Sequence, residues 1–326
     1  MNVPRGSRIS RQRVGPIGEP SSRRIGPMLG KVFAMRMISC DDRDAPFVNV
    51  FMASAQAAGY AVEMVRPVGA GCSGFQELKR TYRHLSPNPA PFELASFRRW
   101  FEIAAVVRDD ERFVLADSDL VVCSPWQDLA GELRDAHGLV GSIGATGDIL
   151  EDGINGGFSV WTGRMLRDFC DAMVAEYAGG ADRLAAIHVA KVAAGHARAS
   201  ISDMTLLYMW VQENTVPFLN SNRLFWTDDG SAQYIDHNFF MPEALGVKFA
   251  MAWGRKALHQ DAQGRLMLHT REGMPVRVGS LHLGGRYKIL SEAIYFRRSA
   301  ELMAKSAFIW GGRTTRTALR KVGVHV

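Results

Sequence analysis

Residues 113–119 read Phe-Val-Leu-Ala-Asp-Ser-Asp, four apolar residues running straight into two carboxylates, Asp117 and Asp119. A short apolar run that ends in charge predicts a buried strand over Phe113–Ala116. In open α/β sheets, ligands gather outside the carboxyl ends of strands. Alternate residues of an extended chain share a face, so Asp117 and Asp119 can address one cation. The spacing alone is weak evidence, because 19 Asp in 326 residues give about one such pair by chance. A second pair does stand at Asp42 and Asp44. The strand ahead of Asp117 raises the first pair above that background.

Working outward, the chain alternates strand and helix patterns. Upstream, Lys31–Ser39 reads as a buried strand, Pro46–Ala58 as a helix and Tyr60–Arg66 as a strand, a βαβ unit. A helix over Phe92–Val107 leads into Phe113–Ala116. Downstream, Leu139–Ile143 and Gly157–Trp161 are strand candidates. Apolar residues from Met165 through Phe169 and Met173 to Tyr177 recur at helical spacing, and Gly179-Gly180 ends them. A helix over Ser202–Val211 follows. Leu266–Thr270 and Val276–Leu281, joined by Glu272-Gly273, read as a hairpin, and Leu290–Ala307 as a closing helix. The expected fold class is α/β, a mostly parallel central sheet with flanking helices. The expected organisation is a disordered basic tail over 1–27, a domain over 28–290, and a C-terminal helix with a basic tail over 291–326.

With 47% hydrophobic and 22% charged residues, the chain has the composition of a globular protein. That excludes a collagenous or wholly disordered chain. No apolar run approaches the roughly 18 residues that a membrane span needs. Cys40, Cys72, Cys123 and Cys170 form no CxxC pair, which predicts reduced thiols in a cytoplasmic setting. The net charge of +6 sits in the ends: residues 1–27 carry +5 and residues 311–326 carry +4, leaving the body mildly acidic. Such tails can touch nucleic acid or an anionic surface, though most are solvated ends.

A second candidate lies at His282-Leu-Gly-Gly285-Arg-Tyr-Lys288: an imidazole for a metal, a glycine for close backbone approach and an ammonium for phosphate. With 9 His and 32 Gly in the chain, His-x-x-Gly-x-x-Lys is expected only about 0.02 times by chance.

A strand ending in Asp-x-Asp, followed far downstream by His-x-x-Gly-x-x-Lys, resembles glycosyltransferase family 8, the retaining enzymes of GT-A fold that include glycogenin and bacterial lipopolysaccharide galactosyltransferases. Four further patches run in the same order. Cys40-Asp41-Asp42-Arg43 follows the first strand, where the family has an Asp that contacts uracil. Ser96-Phe-Arg-Arg99-Trp-Phe matches a segment whose Arg approaches the nucleotide sugar. Ile154-Asn155-Gly-Gly157 matches a strand that contacts the donor sugar, and Ser202-Asp203-Met204 stands where the family has Asp-Gln before a helix.

The resemblance implies a GT-A (Rossmann-like) catalytic domain over 28–290 that moves a sugar from a nucleotide-diphosphate sugar, a UDP-sugar, to an acceptor hydroxyl with retention. It implies Mn²⁺ or Mg²⁺ held by Asp117, Asp119 and His282. Asp41, Arg99, Asp117, Gly285 and Lys288 then contact the nucleotide sugar, and Asp203 and Asn155 serve the reacting sugar. A glycan is the family's commonest bacterial acceptor; the basic tails keep a modified nucleic-acid base in play as a second. Asp203 reads equally as a helix-start carboxylate and Asn155 as a turn residue. The chain departs from the family at Ile289-Leu290, where Pro-Trp often follows the Lys, at Asp44 in place of an aromatic, and at Met204 in place of Gln. A non-catalytic sugar-nucleotide-binding module on the same scaffold is the alternative. Trp226, Asp228, Asp229 and the run Asp236-His237-Asn238 read mainly as solvated loop, at most the rim of a site.

Overall fold

The computed structural model describes residues 34–144, 149–150, 153–196 and 199–321. The basic segment 1–27 lies outside them, as do Lys31, Val32 and Phe33 of the expected first strand.

The first sheet begins with β1 (Arg36–Cys40), α1 (Pro46–Ala57) and β2 (Ala61–Val65), with β1 and β2 parallel. Pro46 opens α1, a position where its missing N–H is no loss. After α2 (Ser73–Thr81) and α3 (Ala90–Ala104), β3 (Arg112–Ala116) inserts on the other side of β1, again parallel. The chain then leaves this sheet. β4 (Leu120–Val122) belongs to a second sheet, and the helix α4 (Gly131–Arg134) leads back to β5 (Leu139–Ser142) and β6 (Asn155–Thr162). Then come α5 (Gly163–Ala178), α6 (Asp182–Ala193), α7 (Asp203–Glu213) and β7 (Phe218–Asn220). The strand order is β2-β1-β3-β6-β5-β7, and only β6 runs antiparallel to its neighbours.

Side-chain alternation covers this sheet on both faces. Ile38 and Leu115 enter a core with residues of α3, α5 and α7, while Met37 and Val114 enter another with residues of α1. Such two-sided burial is why the first strands read as continuous apolar runs. The apolar stripe of residues 165–177 lies within α5, whose Thr162 hydroxyl caps it by accepting from the Met165 N–H at 3.3 Å.

The second sheet is mixed and comes mostly from the C-terminal half. It contains β8 (Phe225–Trp226) and β9 (Ala232–Ile235). The small hairpins β10 (Glu243–Ala244)–β11 (Val247–Lys248) and β12 (Met251–Ala252)–β13 (Arg255–Lys256) stand apart. It continues through β14 (His259–Gln260), β15 (Leu266–His269) and β16 (Pro275–His282). β15 and β16 form the expected antiparallel hairpin. β16 also pairs with β9, in parallel, and with β4, antiparallel.

The closing helix differs from expectation. Instead of one helix over 290–307, a 3₁₀ turn at Gly285–Leu290 leads into α8 (Ser291–Tyr295), and α9 (Ser299–Lys321) starts afresh. Arg297, with φ of 57°, breaks the run between them. Among the described residues no helix is long and apolar enough to cross a membrane.

Candidate metal centre

The link from β3 to β4, Asp117-Ser118-Asp119, is also the link from the first sheet to the second. The Asp117 N–H donates to the Gly157 carbonyl of β6 at 2.7 Å, and Leu120 N–H returns to the Asp117 carbonyl at 3.2 Å, closing a turn. β4 then pairs with β16 so that Leu120 faces His282, and Leu283 N–H donates to the Asp119 carbonyl at 3.0 Å. Strand register thus brings His282 beside the acidic pair. Asp117, Asp119 and His282 each offer one ligand atom, and these atoms lie within 4.8 Å of one another.

The chemistry of this cluster suits a cation. His282 Nδ1–H donates to the His237 carbonyl at 2.9 Å, which fixes the ring and turns Nε2 toward the carboxylates. Nε2 lies 3.1 Å from Asp119 Oδ1 and 3.7 Å from Asp117 Oδ2. The shorter contact falls outside hydrogen-bond geometry, leaving Asp119 Oδ1 buried with charge opposite it but no hydrogen-bond partner. An orphaned carboxylate oxygen and an oriented imidazole nitrogen facing one point are a fitting donor set for Mn²⁺ or Mg²⁺. Without a metal, a proton holds the cluster together. Burial opposes charging of His282, but Asp119 and Asp117 outweigh it and raise its pKa to about 9. Asp119 is driven well below the usual carboxylate range: its burial works the other way, and His282 and Lys288 prevail.

Lys288, on the 3₁₀ turn after β16, places Nζ 3.0 Å from Asp119 Oδ2 and 4.7 Å from the centre of the Phe47 ring. Gly285 opens that turn with φ of 63°, a conformation that side chains resist. Arg99 of α3 bonds Asp117 with Nη1 and, at 2.8 Å, Asp203 Oδ2 with Nη2; the Trp100 indole N–H also donates to Asp203 Oδ2, at 2.9 Å. Asp203 Oδ2 is therefore held by side chains of α3. Asn155 Oδ1 accepts from the Gly157 N–H at 2.7 Å. Asp41 follows β1; Arg43 and the Ser118 hydroxyl bond its carboxylate and lower its pKa against the opposing effect of burial. Ser118, between the two candidate carboxylates, bonds Asp41 instead and ties the loop to the end of β1.

Gly157 supplies room for this arrangement. A Cβ there would lie 2.8 Å from Asp117 Oδ2 and 2.9 Å from Asn155 Oδ1. Gly157→Ala is expected to push the Asp117 carboxylate off its position and weaken Mn²⁺ binding by about tenfold, the lower end for disturbed ligand support. A Mn²⁺ titration followed by electron paramagnetic resonance would read this; unchanged affinity would mean that Asp117 moves at no cost.

The residues beneath His282 carry no site signal in the sequence. Asp236 and His237, read as solvated loop, are buried, and Asp236 forms a fully buried ion pair with Lys256. Asp228 and Asp229 do have exposed carboxylates, paired with Arg134 and Arg277. The signal for the difference lay in Ala232–Ile235, a strand whose parallel pairing with β16 carries the chain inward.

No family model matches the chain. A search of the curated proteins likewise finds no match.

Proposed function

We propose that the chain is a metal-dependent glycosyltransferase of GT-A fold, similar to glycosyltransferase family 8, that moves a sugar from a UDP-sugar to an acceptor hydroxyl, with a glycan as the acceptor class and with retention. One observation carries the reading: the two motifs singled out in sequence, Asp-x-Asp and His-x-x-Gly-x-x-Lys, meet at one point although they come from distant parts of the chain. A lone acidic pair is common; an acidic pair joined by an oriented His and a Lys is a diphosphate-binding constellation.

In this reading Asp117, Asp119 and His282 hold the divalent ion, which neutralises charge on the departing nucleoside diphosphate. Lys288 exchanges its bond to Asp119 for a phosphate oxygen, and Gly285 lets the backbone approach. Asp41 takes the uracil once the half-exposed Arg43 side chain swings aside. Arg99, bonded to both Asp117 and Asp203, keeps two carboxylates aligned while its charge faces the donor. Asp203 and Asn155 orient the transferred sugar.

The experiment is Mn²⁺-dependent release of UDP from a panel of UDP-sugars without acceptor, alongside titration of Mn²⁺ and UDP. Turnover of one sugar is the expected result. Two features favour a binding module instead: Met204, exposed where the family has Gln, and the hydrogen bonds within the protein that already engage Asp203 Oδ2 and Asn155 Oδ1. Tight Mn²⁺–UDP binding with no release from any sugar, with or without candidate acceptors, would support that second reading. No UDP binding would end both.

A further inference from the structure

His282 takes its orientation from the His237 carbonyl, and that carbonyl is itself held from two sides. Lys256 Nζ donates to Asp236 Oδ1 at 2.6 Å and to the Asn238 carbonyl at 2.6 Å. It therefore grips the residues immediately before and after His237. The other Asp236 oxygen, Oδ2, accepts from the His282 N–H at 3.2 Å. On the far side, Phe239 N–H donates to the His282 carbonyl at 3.1 Å, and Lys256 N–H to the Phe239 carbonyl at 2.9 Å. One ammonium thus closes a short turn whose middle carbonyl fixes the ring.

The setting makes that grip costly and tight. Lys256 and Asp236 are both fully buried, and the ammonium lies 5.5 Å and 5.2 Å from the centres of the Tyr234 and Phe249 rings. A buried pair is often no better for stability than apolar residues of similar volume, so its contacts are better read as a means of positioning. Hydrogen bonds behind a metal-binding histidine set its tautomer and direction.

We infer that Lys256, acting through Asp236 and the 236–238 turn, is the positioning residue that holds His282 as a metal ligand. This rests on the metal-site reading above. It assigns Lys256 no contact with metal or substrate.

The test is Mn²⁺ binding to the full chain, followed by electron paramagnetic resonance at fixed pH. The variant Asp236→Asn/Lys256→Met removes both buried charges together, avoiding a lone one. It is expected to weaken Mn²⁺ binding by about tenfold to a hundredfold. Leu268→Ala, a cavity in the same core, is expected to lower thermal stability while leaving Mn²⁺ affinity unchanged. Asp236→Asn alone is the milder second variant should the double one not fold. It keeps an oxygen facing Lys256 but removes the charge that tightens the grip on the turn, and is expected to weaken Mn²⁺ binding a few-fold. Wild-type affinity in the folded double variant, or in Asp236→Asn if that alone folds, would overturn the inference. A wild-type chain that binds no Mn²⁺ would instead overturn the metal-site reading and the inference with it.

Discussion

Asp119→Ala is expected to abolish Mn²⁺ binding and, with it, Mn²⁺-dependent binding of UDP. Asp119 supplies a buried carboxylate oxygen with no hydrogen-bond partner, while Asp117, the other acidic candidate, is already partly neutralised by Arg99. The fold is expected to suffer as well. Asp119 lies between Lys288 and His282, and removing one partner of a buried ion pair costs about 3–5 kcal/mol. Lys288 is partly open to solvent, which favours the lower end. His282→Ala provides the contrast: it should lose Mn²⁺ equally but lose less stability, because Asp119 keeps Lys288. Mn²⁺ titrations and metal-free thermal melts of both variants would check this. Mn²⁺ affinity within tenfold of wild type in folded Asp119→Ala would rule out the assigned ligand set.

The second large effect is with pH. A proton and a metal compete for His282 Nε2, and the His282 pKa of about 9 means that the proton is bound at neutral pH. Mn²⁺ affinity should therefore rise about tenfold per pH unit up to about 9 and then level off, with one proton released per metal. Metal-free stability should move the opposite way. The folded-state pKa is raised, so the contribution of protonated His282 is complete below about 6.5, the ordinary histidine value, and is lost as pH climbs through about 9. The loss is on the order of 3 kcal/mol. Calorimetric titrations in two buffers of different protonation enthalpy, with metal-free melts between pH 6 and 9, would test both halves. A flat affinity profile over that range would show instead that His282 is neutral before metal arrives.

How much of this could be read from the chain depends on the range of the interactions. The unit β1-α1-β2, the strand entering Asp117, the stripe of α5 and the β15–β16 hairpin are local patterns, and they were legible within a residue or a few at each end. The pairing of Leu120 with His282 is not local, and only the improbability of His-x-x-Gly-x-x-Lys hinted at it. Asp236 and Lys256 were illegible because an acid near His and Asn looks like a water-facing loop. Burial of a charge is decided by a partner twenty residues away. The break at Arg297 was missed because nothing in Phe-Arg-Arg-Ser favours a left-handed residue. Asp203 shows the converse: read as a helix-start carboxylate or a catalytic group, it is held by Arg99 and Trp100, from a helix that the sequence predicts but does not aim.

The crossing of residues 117–119 from one sheet to the other has a mechanical meaning. An ion coordinated by Asp117, Asp119 and His282 is a reversible cross-link that pins the last strand of the second sheet to the end of β3. Its effect on the fold is set by concentration: at one hundred times the dissociation constant it adds about 2.7 kcal/mol of resistance to unfolding. The small hairpins β10–β11 and β12–β13 lie between Asp119 and His282 in the chain, and their cleavage by proteases should slow as Mn²⁺ is added.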